Sequence, residues 1–240
     1  MRVLRSLLFY ALFYGATVVF VLACLFAMLA LRPEQFRKVP NAWSTFHRWC
    51  VVHILGIRVR EEGPRPEGPV LYALKHESFF EAIDLPMLLP MPAVFAKIEL
   101  MRLPVWGRAG ARYGLVAVER SQGAKALRAM VSAARERLSE GRPLAIFPEG
   151  TRVPHGSAPP LQSGFAGLYK LLGLPVIPAA VNSGPLYHHG IKRKGTITVR
   201  FGEPIAPGLD RAAIEAQVHA AINALNAPAA LDAPAPFESP

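Results

Sequence analysis

Apolar and polar positions are distributed unevenly along the chain. From Leu7 to Leu31 it reads LLFYALFYGATVVFVLACLFAMLAL, with no charged side chain. This passes the rough threshold of 18 apolar residues for a membrane-crossing helix, and at about 1.5 Å per residue it matches a hydrocarbon core about 30 Å thick. The apolar region of a cleavable signal peptide is only about 7–15 residues long, so the pattern predicts a retained anchor over residues 1–40. The anchor is expected as one membrane-embedded helix or, because Gly15 permits a break, as a helical hairpin. Residues 41–57 mix aromatic, His and aliphatic positions and are expected to form either an amphipathic interfacial helix, with Trp43 and Trp49 at headgroup level, or an ordinary core helix.

Gly63-Pro64-Arg65-Pro66-Glu67-Gly68-Pro69 marks a linker. Short apolar, β-branched runs then alternate with longer helical patterns. Strands are predicted over Val70–Leu74, Ala93–Lys97, Leu115–Val118, Leu144–Phe147, Val176–Val181 and Thr196–Phe201, and helices over Gln122–Glu140, Ser163–Leu172 and Asp210–Ala224. The alternation predicts an α/β fold with a central, mostly parallel or mixed sheet flanked by helices. The expected organisation is an anchor (1–40), an interfacial helix and linker (41–69), a catalytic domain (70–226) and a disordered Pro/Ala-rich tail (227–240).

Composition changes this picture in two respects. Lys and Arg number 27 against 17 Asp and Glu, a net charge of +10 that favours an anionic partner: nucleic acid, an acidic membrane surface or a phosphorylated substrate. No basic stripe with interleaved aromatics or known nucleic-acid module is present, so no nucleic-acid partner is expected. The two cysteines, Cys24 and Cys50, form no C-x-x-C pair, and no metal site is expected.

Four clusters carry candidate chemistry. Lys75-His76-Glu77-Ser78-Phe79-Phe80-Glu81 follows the first predicted strand, and polar groups at the carboxyl end of a buried strand are where α/β sheets place sites. His76 is a candidate general base, and Glu81 can fold back to fix its tautomer if a helix starts here. Phe147-Pro148-Glu149-Gly150-Thr151-Arg152 ends another strand; Gly150 allows close backbone approach and Arg152 offers a fork for phosphate oxygens. Gly114 to Arg120 is a strand ending in charge, and Val176 to Val181 is a buried strand.

The order and spacing of these four blocks resemble the 1-acylglycerol-3-phosphate acyltransferase family, the glycerolipid acyltransferases, over about residues 70–205. The full F-P-E-G-T-R at Phe147 to Arg152 is the most distinctive element. Glu81 stands where most of that family has Asp, with Asp84 as a carboxylate of unmatched spacing, and Gln162 stands where the family often has Lys.

The resemblance implies acyl transfer from acyl-CoA or acyl carrier protein to the 2-hydroxyl of lysophosphatidic acid (1-acylglycerol-3-phosphate), without an acyl-enzyme and without a cofactor. His76 and Glu81 would be the catalytic pair. Lys97, Arg120 and Arg152 would meet the phosphate, and Glu149, Gly150 and Thr151 would shape the acceptor site. Oxyanion donors are expected near Pro178 or at the start of the helix after His76. Read from the residues themselves, Lys192, Arg193 and Lys194 either attract an anionic membrane surface or form a solvated hairpin loop. The expected location is the cytoplasmic (inner) membrane, with the catalytic domain facing the cytoplasm. The alternatives are another lyso-lipid acceptor, such as a lyso-ornithine lipid, or a non-catalytic lipid-binding relative.

Overall fold

The computed structural model describes residues 1–66, 68–119 and 123–226. Seven strands form one sheet: β1 (Ile57–Glu62), β2 (Leu71–Leu74), β3 (Ala93–Lys97), β4 (Val116–Val118), β5 (Leu144–Ile146), β6 (Val176–Val181) and β7 (Gly195–Phe201). Their order is β1-β7-β6-β2-β5-β3-β4. The block β6-β2-β5-β3-β4 is parallel throughout, β7 runs antiparallel to β6, and β1 pairs parallel with β7. The mixed, mostly parallel sheet is the expected one.

The parallel block gathers the carboxyl ends of β2, β3, β4, β5 and β6 on one edge, the usual position of a ligand crevice in such sheets. Alternation along β2 feeds two cores. Tyr72 and Leu74 pack on one face with Phe80 and Leu85 of α4 (Phe79–Leu88), Cys50 of α3 (Lys38–Cys50) and Phe9 and Phe13 of α1 (Arg2–Ala30). Leu71 and Ala73 pack on the other with α7 (Gly123–Ser139), α8 (Gly164–Leu172) and α9 (Arg211–Ile222). Three further helices complete the set in chain order: α2 (Pro33–Phe36), α5 (Ile98–Met101) and α6 (Trp106–Tyr113).

The sheet begins at Ile57, upstream of the linker that was expected to open the globular domain. Ile57 and Val59 alternate with Arg58 and Arg60, a half-buried strand pattern that the preceding helical run obscures. That run is α3 followed by a π-helical turn, Val51–Leu55, closed by Gly56 at φ 70°. Helix α4 is the one expected to start after His76, and it runs on through Pro86, which hides its extent in the sequence; α6 was not anticipated. Gln122 and the tail from residue 227 lie outside the described residues.

Helix α1 is continuous through Gly15, with no hairpin break, and is long and apolar enough to cross a membrane. It is also bound to the domain along its length. Phe9 and Phe13 pack at one end, Trp43 Nε1 donates to Thr17 Oγ1 at 2.9 Å, and Ala27 packs with Phe36 and Tyr113 near the other. Trp43 therefore sits half-buried in the α1–α3 seam, whereas Trp49 is exposed. Lys192 is likewise withdrawn from the surface: its ammonium bonds Tyr187 O and lies over the Tyr10 and Tyr187 rings. Burial lowers its pKa to about 8. Arg193 and Lys194 remain exposed.

Candidate active site

Ser78 begins α4 as its N-cap, accepting from Phe80 N at 3.0 Å, while Glu81 reaches back to Ser78 N at 2.7 Å. This S-x-x-E capping box needs only the local sequence, and it fixes where the Glu81 carboxylate points. Oε1 accepts from the Glu77 and Ser78 amides and stands 3.3 Å from His76 Nδ1, the longest of its contacts. Oε2 accepts from Ser183 Oγ at 2.7 Å, with Ser78 Oγ at 3.1 Å. Burial alone would raise this carboxyl, but the His76 bond and charge, the Ser78 N–H and the Ser183 hydroxyl outweigh it and hold it below the usual carboxylate range.

The Nδ1 contact leaves His76 Nε2 as the imidazole nitrogen without a bond among the described residues. The ring stacks on Phe147 with centroids 4.2 Å apart. Phe147 opens the second cluster, so strand pairing between β2 and β5 brings both motifs together. Val153 N donates to His76 O at 2.8 Å and closes the connection.

Beneath them lies a polar layer. Lys75 is fully buried, and its ammonium donates to Glu149 Oε1, Ser157 O and Asn223 Oδ1, each at 2.6 Å. The other Glu149 oxygen accepts from His76 N at 3.2 Å. Glu149 was expected to shape the acceptor site; instead its carboxylate points inward and fixes the His76 backbone. Glu77, also fully buried, accepts from His155 Nδ1 at 2.8 Å and Gly184 N at 2.7 Å. A side chain at Gly184 would place Cβ 2.9 Å from Glu77 Oε2, so that approach needs glycine.

A cavity of about 1430 Å³ opens from His76. Its wall is largely apolar and includes Thr17, Phe20, Val21 and Cys24 of α1. Gly150, Thr151, Arg152 and Lys97 line it near the sheet edge, as does Gln162, whose amide donates to Glu149 O at 3.2 Å. The Arg152 guanidinium lies 3.9 Å from the Phe79 ring centroid, beside the start of α4. Arg120 lies outside the described residues; Glu119 before it lines the cavity.

Some expected roles are narrowed or unsupported in this geometry. The Glu77 and Ser78 amides serve Glu81 and Pro178 sits mid-strand in β6, which leaves Phe79 N at the start of α4 as the amide there with no partner among the described residues. Asp84 is held by the Arg48 guanidinium, one bond at 2.7 Å, and is no substitute for Glu81. Ser183, Asn223 and His155 were missed, because each comes from a loop or helix remote in sequence and carries no motif. Among the described residues no group of three or more His, Cys, Asp or Glu could hold a metal ion.

A family model described as Acyltransferase matches residues 56–182. The 1-acyl-sn-glycerol-3-phosphate acyltransferase of Pseudomonas aeruginosa is 32% identical over 206 residues, 84% of this chain and 80% of that one. The chain belongs to the acyltransferase family. The human 1-acyl-sn-glycerol-3-phosphate acyltransferase alpha is a more distant relative, 28% identical over 178 residues, 71% of this chain and 61% of that one. The crystal structure of the 1-acyl-sn-glycerophosphate (LPA) acyltransferase from Thermotoga maritima superposes with a TM-score of 0.71 at 23% identity, covering 93% of this chain and 95% of that one. That likeness is one of fold. Within this acyltransferase, the pairing of F-P-E-G-T-R with the His76 block across β2 and β5 is what makes the motifs one site.

Proposed function

We propose that this acyltransferase moves a fatty acyl group from acyl-CoA or acyl carrier protein to the 2-hydroxyl of 1-acylglycerol-3-phosphate, forming phosphatidic acid. The observation that carries this reading is His76, oriented by a buried carboxylate, at the wall of an apolar cavity that extends to the anchor helix.

His76 Nε2 accepts the hydroxyl proton as the acceptor oxygen attacks the thioester carbonyl carbon. The ionised Glu81 stabilises the imidazolium. As the tetrahedral intermediate collapses, the carbon–sulfur bond breaks and the thiol leaves with the proton held on His76. Arg152 and Lys97 are the described cations beside the cavity for the acceptor phosphate, with Arg120 assigned by its motif position. The acyl chains occupy the apolar part of the cavity. The exposed apolar face of α1, including Leu7, Val18, Val19, Leu22 and Phe26, meets the bilayer, and the acceptor reaches the site from the cytoplasmic leaflet of the inner membrane.

The test is a transfer assay with purified protein, acyl-CoA and lysophosphatidic acid, with a lyso-ornithine lipid as competing acceptor. His76→Ala should cost at least about a hundredfold in rate, the low end for losing a general base. Retained activity in the variant would refute the assigned base; faster transfer to the lyso-ornithine lipid would refute the acceptor.

A further inference from the structure

The segment between β3 and α6 is unlike the rest of the domain surface. Leu100, Leu103 and Trp106 are 41%, 49% and 43% exposed within seven residues. Leu100, Pro104, Val105 and Trp106 also line the cavity that reaches His76, as do the α1 residues Thr17, Phe20 and Val21. Two apolar elements therefore flank one cavity, and both present large apolar side chains outward.

The turn itself is strained. Val105 has φ 62° and ψ −58°, and Trp106 N donates to Pro104 O at 2.6 Å. This is a γ-turn in its rare positive-φ form, occupied by a β-branched residue. It is pinned on both sides: Gly107 N donates to Leu103 O at 2.9 Å, and a Cβ on Gly107 would lie 2.0 Å from Met101 O. Conformations of this kind persist where the surroundings over-determine them and gather at ligand clamps. Here the strained turn lines the cavity and holds the two flanking apolar side chains, Leu103 and Trp106, at the surface.

Charge supplies the third observation. Between Lys97 and Arg108 there are three cations, Lys97, Arg102 and Arg108, and one acid, Glu99. Arg102 is largely exposed and meets Glu119 only at 3.7 Å. Apolar side chains bordered by cations suit the boundary between acyl chains and anionic headgroups.

We propose that residues 98–106 form a second membrane-contact element, seating Leu100, Leu103 and Trp106 in the bilayer beside α1, so that the cavity mouth opens into lipid between the two. This rests on the reading of α1 as the membrane anchor. The bilayer is favoured over a protein partner because the patch shares its cavity with the apolar face of α1. The element gives a lipid acceptor a dry path from the leaflet to His76, while α1 alone keeps the protein on the membrane.

The proposal is tested with an environment-sensitive fluorophore on single cysteines in a Cys24→Ser, Cys50→Ala background of the full chain. The positions are Leu103→Cys, Leu22→Cys on exposed α1 and Gln217→Cys on exposed α9, in vesicles of equimolar phosphatidylcholine and phosphatidylglycerol. Labels at 103 and 22 should both report lipid and be quenched by nitroxide lipids, with 217 remaining aqueous. A lipid signal at 22 but not at 103 overturns the proposal alone; an aqueous signal at both overturns the anchor reading beneath it. Leu103→Glu, in the native-cysteine protein, gives an independent measurement because Leu103 does not line the cavity. Its kcat/KM should fall about tenfold with a long-chain lyso-lipid in vesicles, as for losing the burial of one leucine, and hold steady with a short-chain acceptor dissolved in water. An equal fall with both acceptors, or a fall confined to acyl carrier protein as donor, overturns the proposal in favour of a donor-docking surface.

Discussion

Helix α1 and the loops at the carboxyl edge of the sheet depart from the ordinary partition of residues in opposite directions. Over its 29 residues α1 shows Leu4, Leu7, Val18, Leu22, Phe26 and Leu29 to the outside. The loops, with the first turn of α4, bury Lys75, Glu77, Ser78, Glu81, Glu149 and Ser183. Under the proposed reading of α1 as an anchor, the exposed apolar face needs no partner within the protein, because a helix satisfies its own backbone and lipid covers its side chains. The buried polar groups have no such freedom: each is held by hydrogen bonds from another part of the chain, since an unpaired charge there would cost several kcal/mol. Substitutions should therefore be local and mild on one side of the molecule, and severe and coupled on the other.

Lys75→Met tests the severe side. Removing the ammonium leaves Glu149 as a buried charge without its cation, and a loss of about 3–5 kcal/mol in denaturant unfolding is expected. Glu149→Gln in the same chain should recover part of it; additive losses would break the pairing.

Ser183→Ala removes one donor from Glu81 and should cost about 1–3 kcal/mol. Because the folded Glu81 pKa lies below its ordinary value, its contribution is present above the ordinary carboxylate range and lost as pH falls through the lowered value. Losing Ser183 moves that value up, so the acid-side loss of folding stability should begin at higher pH in the variant. An unmoved stability–pH profile would make Ser183 a packing residue.

His47 sits where the two regions meet, 2.7 Å from Tyr187 OH and packed on Phe9 and Phe13. Burial, with the Arg48 and Lys192 charges, lowers its pKa from 6.5 to about 3. The unfolded chain takes up this proton below pH 6.5 and the native one does not, so this contribution is lost as pH falls from 6.5 towards about 3. Thermal unfolding across that window should show a flatter pH slope in His47→Phe. The smallest effect is expected on exposed α1, where Leu22→Ser should change stability in detergent by less than about 0.5 kcal/mol while weakening vesicle binding. A larger change in detergent would mean that this face packs on protein.

The legibility of the two regions differs for the same reason. The long apolar helix α1, the succession of strands β2 to β7 and the four motif blocks depend on runs of adjacent residues, and the pairing of His76 with Glu81 depends on a four-residue capping box, Ser78 to Glu81. These were readable along the chain. Strand β1 was missed because its alternation is short and follows a helical run, and Glu149 was misplaced because its partner, Lys75, lies 74 positions away.

By itself the sequence determined the long apolar N-terminal helix, the α/β alternation, the acyltransferase motifs and the local geometry of His76 and Glu81, because hydrophobic period and helix capping act over one or two turns. Only the tertiary structure decided that Glu149 supports His76 from below, that Ser183 and Gly184 complete the carboxylate shells and that α1 walls the cavity. Those contacts join strands and loops far apart along the chain, and the order in which β6, β2 and β5 pair is set by packing on both faces of the sheet, which no local pattern encodes.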